Sequence, residues 1–162
     1  MFEEDLLEQA ERLIAAAAAK NMQFVTAESC TGGMVASLLT SIAGSSAVFE
    51  RGFVTYSNLA KHQSLNVPWE MIETYGAVSP QVANSMAAGA LKNSNGDIAV
   101  SITGVAGPSG GSAEKPVGLV YFGLAKKGHL TRNFEHNFGE IGRGAIRLMA
   151  VKVALGLFER AL

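Results

Sequence analysis

The sequence predicts an α/β fold, a single three-layer α/β/α domain over residues 1–162 with a mixed, mainly parallel sheet and an antiparallel hairpin near the C-terminus. Three observations predict it. Strand-like, helical and strand-like segments follow one another between residues 23 and 56, the order of a parallel crossover. The run Ile98-Ala99-Val100, followed by Ile102, has the character of a central strand covered on both faces. Lys127-Gly128 then separates two further strand-like segments as a hairpin turn would.

The elements can be justified in order. Leu6, Leu7, Ala10, Leu13, Ile14 and Ala17 recur at helical spacing and predict an amphipathic helix over residues 4–20. A first strand follows at about 23–27 and a helix packed through small residues at about 32–41. Ala47 to Tyr56, rich in Val, Phe, Thr and Tyr, reads as the second strand. Two helices come next, a short one near 59–64 and a longer one with Ser79 as cap and Pro80 at its first position. Val82, Ala83, Met86, Ala87 and Ala90 form the inward face of the longer helix. Asp97–Thr103 is the third strand, Val117–Ala125 the fourth and Leu130–Phe138 the fifth. Ile146, Met149, Val153 and Leu157 mark a closing helix. Between the third and fourth strands, residues 104–115 hold four glycines and a proline without helical period, the composition of a loop that serves a site.

Composition narrows the function classes. A net charge of −1 with dispersed Lys and Arg leaves no basic stripe, so nucleic acid is not an expected partner. No apolar run reaches the length of about 18 residues that a membrane span needs, and the start Met1-Phe2-Glu3-Glu4-Asp5 is acidic, so no membrane partner and a cytoplasmic location are expected. One cysteine and three scattered histidines give no metal-ligand spacing, so neither a metal nor a cofactor is expected. Alanine-rich helices at both ends suggest self-association, with a homodimer as the default and a higher homo-oligomer as the variant.

The segment Thr26-Ala27-Glu28-Ser29-Cys30-Thr31-Gly32-Gly33 places small nucleophilic side chains where a strand turns into a helix. Free N–H groups at such a turn could hold an oxyanion, and Gly32 and Gly33 remove bulk. Ser29 needs a base to become a competent nucleophile. His62, His129 and His136 lie on a short helix and near a hairpin, which leaves lysine as the candidate. Lys61 follows the second strand by five residues from Tyr56, on the same sheet edge as Ser29 if the two strands are parallel, and Thr103 would join them there. A lysine buried in an apolar pocket loses its proton near neutral pH. The same residues also fit a surface lysine, an edge tyrosine and a buried threonine. Cys30 is the rival nucleophile, or a packed thiol. Glu28 could orient a donor or cap the helix. Ala43-Gly44-Ser45-Ser46 and Gly107-Pro108-Ser109-Gly110-Gly111-Ser112 could cradle a phosphate or sugar, or be plain turns, and Arg143 could add a fixed positive charge.

Taken together, Thr26–Gly33, Ala43–Ser46, Phe49–Asn58, Gly76–Ser79, Ser101–Pro108, and Gly110-Gly111 with Lys115–Gly118 resemble the CinA carboxy-terminal domain family, which includes stand-alone nicotinamide-nucleotide amidases. The resemblance covers about residues 5–160 in order. It implies metal-free hydrolysis of the carboxamide of nicotinamide mononucleotide to nicotinic acid mononucleotide and ammonia, with a small-molecule nucleotide as the partner. On that pattern Ser29 is the nucleophile, Lys61 the base, and Tyr56 and Thr103 the assisting hydroxyls. Cys30, Thr31 and Gly32 would line the oxyanion site. Gly44, Ser45, Ser46, Gly107, Ser109, Gly110, Gly111 and Arg143 are the candidate substrate contacts. The family's amino-terminal pyrophosphatase-type domain has no counterpart in these residues, so its activity is not carried over. Gly139-Glu140-Ile141-Gly142 departs from the shorter Gly-Asp-Arg stretch usual in the family. Two alternatives remain open at this point: a phosphorylated-nucleotide binding module of the same fold without turnover, and a thiol hydrolase using Cys30.

Overall fold

A computed structural model describes residues 2–162. Five strands form one sheet in the order β2-β1-β3-β4-β5, from β1 (Phe24–Glu28), β2 (Phe49–Val54), β3 (Ile98–Gly104), β4 (Leu119–Lys126) and β5 (Arg132–Asn137). β1 pairs in parallel with β2 and β3, whereas β4 is antiparallel to both β3 and β5. Four strands therefore point one way and β4 alone points back, which makes the sheet mixed with a C-terminal antiparallel hairpin, as expected.

Six helices cover the two faces: α1 (Glu4–Ala19), α2 (Met34–Thr40), α3 (Asn58–Leu65), α4 (Trp69–Tyr75), α5 (Pro80–Lys92) and α6 (Arg143–Ala161). Alternation along the strands divides the core in two. Phe24, Ile98, Val100, Ile102, Val120 and Phe122 face α1, α2 and α6, where Phe24 stacks on Phe158 at 4.3 Å between ring centroids. Val25, Ala27, Ala99 and Ala125 face α3, α4 and α5. The second face is built from small side chains, so α5 lies very close to the sheet. Ser101 donates to the Ala83 carbonyl at 2.6 Å and accepts from Gly123 N–H at 3.1 Å, joining α5, β3 and β4 through one hydroxyl.

Local chemistry sets the element ends. Ser57 caps α3 by accepting from Ala60 N–H at 3.0 Å, and Ser79 caps α5 by accepting from Val82 N–H at 3.3 Å, with Pro80 at its first turn. The second strand is shorter than its composition predicts. Ser45–Ala47 form a single 3-10 turn, and the chain leaves β2 after Val54. α4 is absent from the expectation because its seven residues bury only Ile72 between Pro68 and Gly76, too short a stretch to display a period. On α6 Ile146 and Leu157 face inward as expected, but Met149 is exposed and Val153 half-buried. The buried stripe instead runs through Ala150, Val151, Ala154, Leu155 and Phe158, because this helix is apolar on more than one side and its spacing alone permits two registers.

The crossing of α3 and α5 is close and fixes where α3 sits. A Cβ at Gly89 of α5 would lie 1.8 Å from the carbonyl oxygen of Leu65, the last residue of α3. Gly89→Ala is therefore expected to lower stability by about 1–3 kcal/mol despite alanine's better helix propensity. Urea unfolding measures this, and a stabilised variant would show that the two backbones do not approach this closely.

Candidate active site

Ser29 stands at the C-terminal end of β1, flanked by strands on both sides. Its N–H continues the sheet by donating to the Ile102 carbonyl at 2.9 Å, and the Glu28 carbonyl accepts from Thr55 N–H at 2.9 Å. The chain then turns through Gly32 and Gly33, both at positive φ (58° and 96°), into α2. Glu28 is fully buried, and its carboxylate accepts from Gly33 N–H at 3.1 Å, Val35 N–H at 3.1 Å and Ala36 N–H at 2.9 Å. The start of α2 is thus filled by the protein's own anion. Helix-start donors are not available to a ligand there, contrary to one expectation from the sequence, and Glu28 takes its capping role.

Lys61 is 1% exposed, among the largest fully buried side chains of the protein. Its Nζ lies 2.9 Å from Ser29 Oγ, 3.0 Å from the Thr55 carbonyl oxygen and 3.2 Å from the Tyr56 carbonyl oxygen. Three acceptors surround an atom with three hydrogens when charged, yet none of them is a carboxylate. Burial pulls the pKa down from 10.5 to about 8, with a small opposing pull from Cys30. In the neutral amine two hydrogens serve the two carbonyls, and the lone pair is left facing the Ser29 hydroxyl. That geometry suits proton abstraction from Ser29.

Cys30 is buried, and burial pushes its thiol up to about 11, with its own N–H, Arg147 and Lys61 offsetting part of the rise. The thiol therefore stays protonated at neutral pH, which removes the expectation of a thiolate nucleophile.

A cleft of about 340 Å³ opens over Ser29 and Lys61. Of the expected site residues Cys30, Tyr56, Thr103, Gly107, Ser109, Gly110 and Arg143 also line it. Gly111 lies in a neighbouring depression with Ser109 and Gly110. Thr31 is fully buried beneath the turn, with its hydroxyl unpartnered, and Gly32 stands against Arg147. Gly44, Ser45 and Ser46 are not brought to the cleft. They precede β2 and so sit at the opposite edge of the sheet from Ser29, where Gly44 borders a separate surface depression with Glu11, Ile14 and Ala15 of α1.

Of the two expected assisting hydroxyls, Thr103 lines the cleft with Ser29 and Lys61, whereas the Tyr56 phenol points elsewhere. Tyr56 is 63% exposed, and its phenol oxygen accepts from Arg143 Nη2 at 3.2 Å rather than meeting Ser29 or Lys61. Its contribution to Lys61 comes through its backbone carbonyl. Thr103 is buried in the cleft wall and donates to the Ala77 carbonyl at 2.7 Å, so its oxygen offers lone pairs rather than a proton. Arg143 donates to the Gly107 carbonyl at 2.8 Å and thereby ties the glycine-rich loop to Tyr56 across the cleft mouth.

Two contributors were missed from the sequence. Asn58 lines the cleft beside Tyr56. Arg147, one helical turn beyond Arg143, donates from Nε to the Cys30 carbonyl and from Nη2 to the Thr31 carbonyl, both at 3.0 Å. The i, i+4 spacing of the two arginines was the available signal. Among the described residues no group of three or more His, Cys, Asp or Glu side chains is arranged to hold a metal ion.

Known proteins are similar to this chain in sequence and in fold. The family described as the CinA C-terminal domain matches residues 7–162. A nicotinamide-nucleotide amidohydrolase PncC of Enterobacter agglomerans is 50% identical over 155 residues, covering 96% of this chain and 94% of that protein. The protein of the same name from Escherichia coli K12 is 49% identical over 156 residues, covering 96% and 93%. A competence/damage inducible protein from Agrobacterium tumefaciens superposes with a TM-score of 0.97 at 48% identity, over 99% of this chain and 98% of that one. With nearly the whole chain matched in sequence and in fold, this protein belongs to the CinA C-terminal domain family.

Proposed function

We propose that this chain is a nicotinamide-nucleotide amidohydrolase: a single domain that hydrolyses the carboxamide of nicotinamide mononucleotide to nicotinic acid mononucleotide and ammonia, with Ser29 as nucleophile and Lys61 as base. The observation that carries the mechanism is the 2.9 Å contact between a buried, carboxylate-free amine and the Ser29 hydroxyl. The names of the full-length relatives at 50% and 49% identity support the substrate.

The reaction follows from the placement of these groups. Neutral Lys61 takes the Ser29 proton as Oγ attacks the carboxamide carbon, and the carbonyl oxygen becomes a tetrahedral oxyanion. Collapse of that intermediate expels the amine, which receives the proton from the Lys61 ammonium and leaves as ammonia. Water then enters, gives its proton to Lys61 and attacks the acyl-enzyme, and the ammonium returns the proton to Ser29 as nicotinic acid mononucleotide departs. The Thr55 and Tyr56 carbonyls hold Nζ through both half-reactions, and neither is consumed. Thr103, whose own proton is engaged by Ala77, can accept from the carboxamide N–H₂ and orient it. Arg143, with donors at the cleft mouth beside Gly107, Ser109 and Gly110, suits the substrate phosphate. The proposal includes a homodimeric or larger assembly in the cytoplasm working on a free nucleotide, supported by exposed Val54, Leu59, Trp69 and Tyr75 and by the −1 net charge. No helix among the described residues is long and apolar enough to cross a membrane.

Three outcomes are expected. Ammonia release from nicotinamide mononucleotide should be lost in Ser29→Ala and should fall by about 1,000-fold or more in kcat in Lys61→Met, with KM little changed. Nucleotide that binds wild-type protein without being consumed would instead identify a binding module. The pH profile of kcat/KM should rise with one ionisation near pH 8 and level off above it, because only the neutral amine carries a lone pair. A rate independent of pH between 6 and 9 would remove Lys61 as base. Cys30→Ala should keep wild-type turnover within about threefold, since a thiol pushed up to about 11 supplies no nucleophile at neutral pH. Loss of activity there, with Ser29→Ala still active, would restore the thiol route.

A further inference from the structure

The Ser29 hydroxyl has one proton, and where that proton goes depends on the charge of Lys61. As an ammonium, Lys61 carries three hydrogens, and three acceptors stand around Nζ: Ser29 Oγ at 2.9 Å, the Thr55 carbonyl at 3.0 Å and the Tyr56 carbonyl at 3.2 Å. All three hydrogens are then used, and an ammonium has no lone pair to receive the Ser29 proton. Among the described residues Ser29 Oγ has no hydrogen-bond partner besides Nζ. Its hydrogen is therefore directed to whatever occupies the cleft that Ser29 lines. With the amine neutral, the hydroxyl donates inward to Nζ, and the cleft meets an oxygen lone pair instead. One proton on Lys61 thus converts the floor of the cleft from an acceptor into a donor backed by a cation.

The charged form has no counterion. No Asp or Glu lines the cleft, and Arg143 is the other cation there. In the turn after β1, the Cys30 thiol stays protonated and Glu28 is occupied by three N–H groups at the start of α2. The Tyr56 phenol, beyond β2, accepts from Arg143, and Arg147 of α6 holds the Cys30 and Thr31 carbonyls. His62 of α3 is exposed, with Nδ1 2.9 Å from the Val67 carbonyl oxygen. Glu70 and Glu73 of α4 are exposed, and the one charged residue of α5, Lys92, lies in its last turn. Because burial pulls the amine only to about 8, the charged form still outnumbers the neutral one by about ten to one at pH 7.

Amide hydrolysis makes the group that this charged form lacks, a carboxylate next to Ser29. We propose that the Ser29–Lys61 pair with its amine charged is a carboxylate-binding site: the Ser29 hydroxyl donates to the pyridine-3-carboxylate of nicotinic acid mononucleotide while the ammonium behind it supplies the opposing charge. The inference rests on the amidohydrolase reading and adds a form of regulation to it, since the product holds the enzyme in the state that cannot attack. Thr103 sharpens the contrast. Its proton is engaged by the Ala77 carbonyl, so it offers only lone pairs, which suit a carboxamide N–H₂ and repel a carboxylate. With Lys61 neutral the acid meets lone pairs from both hydroxyls, and with Lys61 charged the Ser29 donor and the ammonium hold it.

The test measures the affinity of nicotinic acid mononucleotide by calorimetry at pH 7 and at pH 9, for wild type and Lys61→Met. Nicotinamide mononucleotide on Ser29→Ala is the control for the phosphate and Arg143. Wild type should bind the acid about tenfold more tightly at pH 7 than at pH 9, the ratio of ammonium populations for a midpoint near 8. Lys61→Met should bind it equally at both within about threefold, near the weak wild-type value at pH 9, and the control should vary no more than that. By reciprocity, saturating acid should raise the titration midpoint of the Lys61 nitrogen in ¹⁵N-lysine-labelled protein by about one unit or more. Wild-type affinity that is the same at both pH values, or a pH dependence that persists in Lys61→Met or is matched by the control, overturns the proposal. Should Lys61→Met not fold, the nitrogen titration decides, and a midpoint unmoved by saturating acid overturns it. Wild type that releases ammonia yet binds its product equally at pH 7 and pH 9 sinks this inference and leaves the amidohydrolase intact. Wild type that releases no ammonia and binds neither nucleotide overturns both.

Discussion

A lysine amine with no carboxylate partner, enclosed between a serine hydroxyl and two backbone carbonyls, is the constraint on which the site depends. Charged, it would be a poorly solvated cation; neutral, it matches its surroundings hydrogen for hydrogen. Desolvation is the largest cause of its lowered pKa, so the amine becomes a base by being enclosed rather than by being opposed by another charge. The absence of an acid also serves turnover, because a fixed carboxylate would stabilise the ammonium and hold back the proton that the leaving amine needs.

That enclosure is assembled by the fold rather than by neighbouring residues. Ser29 is carried by β1 and the two carbonyls by the end of β2, which lies parallel to it, so both arrive at the same sheet edge. Lys61 is carried by α3, and α3 is located by its close crossing with Gly89 of α5, which itself lies against the small residues of β3 and β4. Glu28 works from beneath. By occupying the first turn of α2 it fixes the exit of the chain after Ser29, so the nucleophile stands on a strand end and a capped helix rather than on a free loop.

Much of this was legible in the chain. The parallel crossover, the central apolar strand and the Ser79-Pro80 helix start are strong local signals, and of the first-helix positions Leu6, Ala10, Leu13, Ile14 and Ala17 are buried and Leu7 half-buried. Elimination of histidine and a parallel arrangement of two strands made Ser29 and Lys61 candidates, and the family resemblance implied their pairing; the parallel arrangement is present. Other features depended on tertiary geometry. The phenol of Tyr56 faces Arg143 because the chain turns out of β2 to present its carbonyl to Lys61, a division of one residue between backbone and side chain that residue type does not encode. Gly44-Ser45-Ser46 has the composition of an anion cradle, yet its place before β2 puts it at the far edge. Glu28 could be read as a helix cap from its place before the turn, whereas the carbonyls that Arg147 holds are set by the packing of α6 and carry no signal beyond the spacing of the two arginines.

The most direct measurement is a titration of the Lys61 side-chain nitrogen by NMR on ¹⁵N-lysine-labelled protein, assigned by its disappearance in Lys61→Met. A midpoint near 8 is expected, with the resonance sensitive to Ser29→Ala. A midpoint near the ordinary 10.5, unaffected by the loss of Ser29, would contradict a buried amine acting on that hydroxyl.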